Sequence, residues 1–163
     1  MKRLNFGCGK DFKKGWDNID VQSGKEIDLS FDFDKFPYPF PKNYYDYVLL
    51  RQVLEHLLYP EKTLLELHKC CKNGAIIRIE VPHYTNSGAY NSLQHRGFFN
   101  EKAFINFIEA KTLLKKNQKF KIKSLNVLPT IVGKFIPKFL RDRLSLFING
   151  LQSQIHVEYE VIK

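Results

Sequence analysis

The chain has 163 residues, enough for one domain with a substantial buried core. Its 44% hydrophobic content and mean hydropathy of −0.33 exclude a disordered, strongly charged chain, and no apolar run approaches the length that spans a bilayer. The net charge of +9 is uneven: residues 111–145 hold ten Lys/Arg against one acid, Asp142, while the rest carries sixteen of each sign. Such an excess points either to an acidic partner (nucleic acid, an anionic lipid surface or a phosphorylated substrate) or to a solvated face.

Met1-Lys2-Arg3 leads directly into an apolar segment, so no signal peptide is expected. Cys8, Cys70 and Cys71 make no disulfide framework, and the expected compartment is the reducing cytoplasm. With no Cys-x-x-Cys and no spaced histidine set, no metal site is expected.

In chain order, Arg3–Phe6 reads as a strand, Trp16–Val21 contains a second, and Ile27–Phe33 a third, with acids at Asp28, Asp32 and Asp34. Phe36-Pro37-Tyr38-Pro39-Phe40-Pro41 is neither helix nor central strand and is expected to expose its aromatics. Tyr45–Leu50 is an apolar run of the kind buried on both faces. Val53–Cys71 has helical spacing restarted at Pro60, with Gly74 as its left-handed cap. Ala75–Val81 is a buried strand ended by Pro82; Glu101–Lys115 is an amphipathic helix; Phe120–Leu128 is a strand; Ile136–Leu151 is a second amphipathic helix; Gln154–Ile162 is a last strand. The alternation predicts one α/β domain over residues 1–163, Rossmann-like, with a mostly parallel sheet and helices on both faces.

The chemistry starts at Leu4-Asn5-Phe6-Gly7-Cys8-Gly9. A strand running into Gly-x-Gly lets a flat or polar group approach the backbone. Asp20, eleven residues beyond Gly9 and at the end of the next strand, can accept both hydroxyls of a ribose. Together they point to an adenosine-containing ligand.

Leu4–Gly9, Gly15–Asp20, Phe36–Val48, Val53-Leu54-Glu55-His56-Leu57, Lys72-Asn73-Gly74 and Ile79-Glu80-Val81-Pro82-His83 stand in an order and spacing similar to the class I S-adenosylmethionine-dependent methyltransferases, in particular the small type 11-like group. The likeness spans about residues 3–110 closely and the last strand loosely. It implies a seven-stranded sheet with an antiparallel C-terminal strand, and S-adenosylmethionine as cofactor. By the same likeness Gly7 and Gly9 pass close to the methionine part, Asp20 binds the ribose, Asp32 meets the adenine amino group, and Phe33 lies beside the ring. Arg51 and Gln52 come near the methionine end. Two features depart from the commoner pattern. Asn5 replaces an acid, read as an amide that keeps the acid's hydrogen bonds, and a third glycine near Asp11 is missing. Many relatives also carry helices ahead of the first strand.

His83 and His95, on the segment after the fifth strand, are the expected general bases, since imidazole titrates near neutrality; the alternative for each is that it pins the loop. Glu55-His56, inside the preceding helix, is read as packing or capping. The expected reaction is methyl transfer to a small molecule or glycan precursor, with oxygen preferred over nitrogen. The alternatives are a nucleic-acid methyltransferase, disfavoured because Leu50-Arg51-Gln52-Val53 stands where Asn/Asp-Pro-Pro-Tyr/Phe would, and a binding protein that does not turn over. Residues 111–151 are read as core cover, as a lid or homodimer interface, or, third, as an anionic-membrane contact. In the first reading Leu140, Leu144, Phe147 and Leu151 form the buried stripe.

Overall fold

The computed structural model describes residues 1–110 and 118–163. Seven strands form one sheet: β1 (Arg3–Phe6), β2 (Asp17–Asp20), β3 (Leu29–Ser30), β4 (Tyr45–Arg51), β5 (Cys71–Pro82), β6 (Lys119–Pro129) and β7 (Gln152–Ile162). Their spatial order is β3-β2-β1-β4-β5-β7-β6. β1 to β5 pair in parallel, and β7 is antiparallel to both its neighbours. The chain direction across the sheet reverses between β1 and β4, so a crevice opens there at the carboxyl ends of the strands.

Among the described residues three α-helices accompany the sheet: α1 (Pro60–Cys70), α2 (Glu101–Glu109) and α3 (Lys138–Leu144). Alternate residues Leu4, Phe6, Val48, Leu50, Ile77, Ile79, Val157 and Tyr159 are fully buried and form one core with Leu64 and Leu67 of α1 and Phe104 and Phe107 of α2. The Tyr159 hydroxyl donates to the Phe104 carbonyl at 2.7 Å, so the largest core side chain keeps a partner for its polar tip. The residues between turn the other way; Leu49 is apolar and buried, while Asn5, Arg78 and Glu158 are polar. Arg78 Nε donates to Glu80 Oε1 at 2.7 Å, and Arg78 Nη1 to Glu158 Oε1 at 3.2 Å.

Among the described residues α1 and α2 cover this face of the sheet. Ten residues join β1 to β2 and eight join β2 to β3, without a helix in either. A helical crossover between parallel strands needs a dozen residues or more. Those connections are too short to lay a helix across the sheet.

Other expectations change locally. The proline-rich loop does not expose its aromatics. Tyr38 is buried, its hydroxyl donates to the Phe33 carbonyl at 2.8 Å and lies 2.9 Å from Thr63 Oγ1, and Phe36 and Phe40 pack against the core. The helix read over Val53–Cys71 is a single 3-10 turn at Leu54–His56 followed by α1. Pro60 opens α1 at its first turn, where a missing N–H costs nothing. Gly74 does take a positive φ of 77°, but within β5, where the register against β4 shifts, because the backbone is already extended at Cys71. α2 ends at Glu109; the rest of the helix expected to Lys115, and the basic residues 111–117, lie outside the described residues.

The last helix is also short, seven residues of the sixteen expected, and its stripe is inverted. Arg141 is buried and its Nη1 donates to the Gly133 carbonyl at 3.1 Å, while Phe135, Phe139 and Phe147 are 85%, 73% and 87% exposed. Backbone and hydroxyl contacts hold this excursion in place: Thr130 Oγ1 donates to the Gly150 carbonyl at 2.7 Å, and the Gly150 amide to the Thr85 carbonyl at 2.8 Å. Core cover does not describe it. Leu151 is buried, but Phe147 and Leu140 of the same expected stripe are exposed.

Candidate active site

A cavity of about 830 Å³ occupies the crevice between β1 and β4. Its floor is the turn after β1. Gly7 and Gly9 line it with φ of 71° and 51°, a left-handed region that costs other residues strain. At Gly7 space is the sharper limit, since a Cβ there would stand 2.4 Å from Val53 Cγ2. The Gly7 and Cys8 amides both donate to the Ile19 carbonyl, which ties the turn to β2.

Asp20 lines the cavity at the end of β2. Its carboxylate accepts from the Gly9 amide at 2.8 Å and the Gln22 amide at 3.1 Å. Asp32 and Phe33 line it beyond β3. Three acids compete in this stretch, and two have structural work. Asp28 accepts from the Asn18 amide at 2.7 Å, and Asp34 accepts from the Leu58 and Tyr59 amides ahead of α1. Asp32 keeps one oxygen on the Asp34 amide and a loose ion pair with Lys35 at 3.8 Å. Phe33 is almost wholly buried, its ring 4.0 Å from that of Phe6, so it offers the cavity little more than an edge.

Gln52, with φ of 55°, lines the cavity after β4, its backbone amide held by the Glu80 carbonyl. Two residues expected here are not on the wall. Asn5 is buried behind the turn, donating to the Asp11 carbonyl at 2.8 Å and to Asn18 Oδ1 at 3.0 Å. It positions the glycines. Arg51 is ion-paired to Asp11 and clasps β4 to the same turn from outside the cavity.

The two histidines separate. His83 is 2% exposed and is not on the cavity wall. Its Nδ1 lies 2.8 Å from Thr85 Oγ1 and its Nε2 3.7 Å from Glu101, and its backbone bridges to Phe99. Burial pushes its imidazole below the ordinary value, with Glu101 opposing. The geometry matches the loop-pinning alternative. His95 is not on the cavity wall either, but it stacks edge-on against His56, ring centroids 4.7 Å apart, and His56 lines the cavity.

Glu55 and His56, expected to pack or cap, do more than that. Glu55 is 1% exposed, and neither carboxylate oxygen has a hydrogen-bond partner. Burial pushes its carboxyl up to about 7. An orphaned buried carboxyl is expensive, and such groups gather at working sites. The adjacent Glu-His pair is the signal in the sequence, and the 3-10 turn at Leu54–His56, in place of a regular helix, is what brings it to the cavity.

The methyltransferase-domain family profile matches residues 4–121, most of the chain. No curated protein matches in sequence. Among solved structures, a SAM-dependent methyltransferase from Archaeoglobus fulgidus is similar with a TM-score of 0.67 at 16% identity, covering 98% of this chain and 86% of the other. One from Mesorhizobium loti has a TM-score of 0.65 at 10% identity, covering 98% and 90%. The [4+2]-cyclase SpnF has a TM-score of 0.65 at 14% identity, covering 99% and 75%, so the fold also serves other chemistry. The glycine turn, the acid ending β2, the strand order and the family match agree: the chain belongs to the methyltransferase-domain family.

Proposed function

We propose that the chain moves the methyl group of S-adenosylmethionine to an oxygen of a small-molecule or glycan-precursor acceptor. The observation that carries this is the cavity itself. Gly7 and Gly9, Asp20 and Asp32 line it together at the carboxyl ends of three strands, which suits a ligand laid out as methionine, ribose and adenine, and His56, clustered with Glu55 and His95, stands on its wall. Asp20 offers a carboxylate to the ribose hydroxyls, and the open glycine turn admits the amino-acid end.

Transfer is an in-line displacement. The acceptor oxygen forms a bond to the methyl carbon, the carbon–sulfur bond breaks, and its electron pair stays on sulfur. A hydroxyl must lose its proton in the process, whereas a neutral amine can attack without prior deprotonation. A site with histidines beside an unpartnered carboxyl suits the first. His95, through its contact with His56, is the proposed proton acceptor, with His83 holding the loop that carries it.

The 130–148 excursion suits contact with an anionic lipid surface. Phe135, Phe139 and Phe147 stand in solvent among Lys134, Lys138 and Arg143, and no residue of this segment lines the cavity. A lipid-linked glycan precursor would be found at such a surface. Among the described residues no helix is long and apolar enough to cross a membrane.

Calorimetry with S-adenosylmethionine and its demethylated product tests the cofactor, and a labelled-methyl screen of hydroxylated acceptors tests the reaction. Failure to bind either compound overturns the reading.

A further inference from the structure

We propose that Glu55, His56 and His95 form a binding site for a divalent first-row transition cation at the wall of the methyl-transfer cavity. A ligand atom from each lies within 4.8 Å of the others, and among the described residues no other three His, Cys, Asp or Glu side chains meet this way.

Two observations make the cluster a prepared site. The first is the Glu55 carboxylate, buried with both oxygens free of any hydrogen bond. A buried carboxylate demands a proton or a cation. The second is the state of the two imidazoles. His95 Nδ1 lies 2.8 Å from the Ala89 carbonyl, and His56 Nδ1 3.3 Å from the Gln94 carbonyl. A carbonyl only accepts, so each Nδ1 carries the hydrogen and each Nε2 keeps its lone pair. Metal-bound histidines are oriented in this way, by a backbone carbonyl on the far nitrogen. The loop is held as well: the Arg96 and Gly97 amides both donate to the Glu55 carbonyl, at 2.7 and 3.0 Å.

Two imidazoles and one carboxylate suit zinc, cobalt, nickel, manganese or ferrous iron better than magnesium or calcium. Ligand atoms around a tetrahedral zinc stand about 3.3 Å apart, so closing on an ion takes side-chain shifts of roughly an ångström. Three protein ligands leave at least one position open, and His56 turns it toward the cavity.

The chemistry rests on the methyl-transfer reading. A cation here would bind the acceptor's hydroxyl oxygen and ease loss of its proton to water before the oxygen takes the methyl group. Acceptors with two neighbouring oxygens would bind best. His95 then serves as ligand and no longer as proton acceptor.

The test uses chelator-treated full-length protein titrated with zinc chloride by calorimetry and with cobalt chloride by visible absorption. One equivalent per chain is expected, with a cobalt d–d band. Glu55→Gln and His95→Ala, each checked for folding by circular dichroism, should weaken binding at least tenfold and abolish the band. His68→Asn, at a distant buried histidine, should leave both unchanged. Substoichiometric binding, wild-type affinity in either site variant, or an equal loss in His68→Asn would overturn the site. S-adenosylmethionine affinity is measured on the same samples. Protein that takes the cofactor but no cation defeats the metal site alone, and protein that takes the cation but no cofactor defeats only the methyl-transfer reading.

Discussion

The Gly9 amide donates to the Asp20 carboxylate at 2.8 Å, and both residues line the cavity. One carboxylate therefore shapes the glycine turn and faces the ligand space. Asp20→Ala removes both contacts and leaves the Gly9 amide without its partner. The expected cost to S-adenosylmethionine binding is about 1–3 kcal/mol, the scale of a lost charged hydrogen bond. Asp20→Asn keeps an acceptor for Gly9 and should fall between. Wild-type affinity in the alanine variant, by calorimetry, would remove Asp20 from the site.

The two glycines should respond differently to alanine. Both sit at positive φ, which costs a side chain about 1–2 kcal/mol. Only at Gly7 does a Cβ also collide, with Val53 Cγ2 at 2.4 Å; nothing stands within 4 Å of one at Gly9. Urea denaturation should show Gly7→Ala as the more destabilised by roughly 1–3 kcal/mol, the cost of overpacking. Val53→Ala in the same chain should recover part of the difference. Equal losses in the two single variants would contradict the collision.

His83 and His95 separate in kinetics. His95→Ala should keep cofactor affinity and lose about two to four orders of magnitude in methyl-transfer rate. His83→Asn should act mainly on stability, because its ring is locked between Thr85 and Glu101 away from the cavity. A rate loss in His83→Asn equal to that of His95→Ala, with an unchanged melting temperature, would reverse these roles.

Acid should weaken the fold through buried imidazoles. Burial holds His68 and His83 below the ordinary value of about 6.5. The unfolded chain then binds protons first as pH falls, so the stabilisation is complete above about 6.5 and is lost progressively as pH drops toward the lower folded values. The buried Glu55 carboxyl, held up at about 7, works the other way over the same range, because the folded state takes its proton first. The imidazole part is therefore read in Glu55→Gln: its unfolding free energy by urea should decline from pH 8 to pH 5, and more shallowly when His68→Asn is added. A flat profile in Glu55→Gln would mean that the buried imidazoles are not depressed.

The exposed excursion is tested by sedimentation with vesicles. Binding to anionic vesicles should fall with salt and disappear when Phe135 and Phe147 become Ser, with cofactor affinity retained. Absence of vesicle binding, with a dimer in light scattering, would instead assign this surface to a second copy of the chain.

Local patterns carry much of this protein. The apolar runs at Leu4–Phe6, Tyr45–Leu50 and Ala75–Val81 are strands because they are buried on a parallel sheet. Gly7, Gly9 and Asp20 reach the cavity because strand ends and turns are set by nearest neighbours. Burial of side chains far apart in sequence decided the rest. Asp28, Asp32 and Asp34 look alike in sequence; partners at Asn18 and at Leu58 and Tyr59 single out Asp32. Asn5 and Arg51 became supports of the glycine turn through Asp11 and Asn18, and His83 became a buried pin. Arg141 turned inward to a carbonyl and sent the phenylalanines out. Glu55 gained its importance only when the loop carrying His95 closed over it, because a carboxyl's cost depends on what surrounds it in space, and periodicity along a chain contains no record of that.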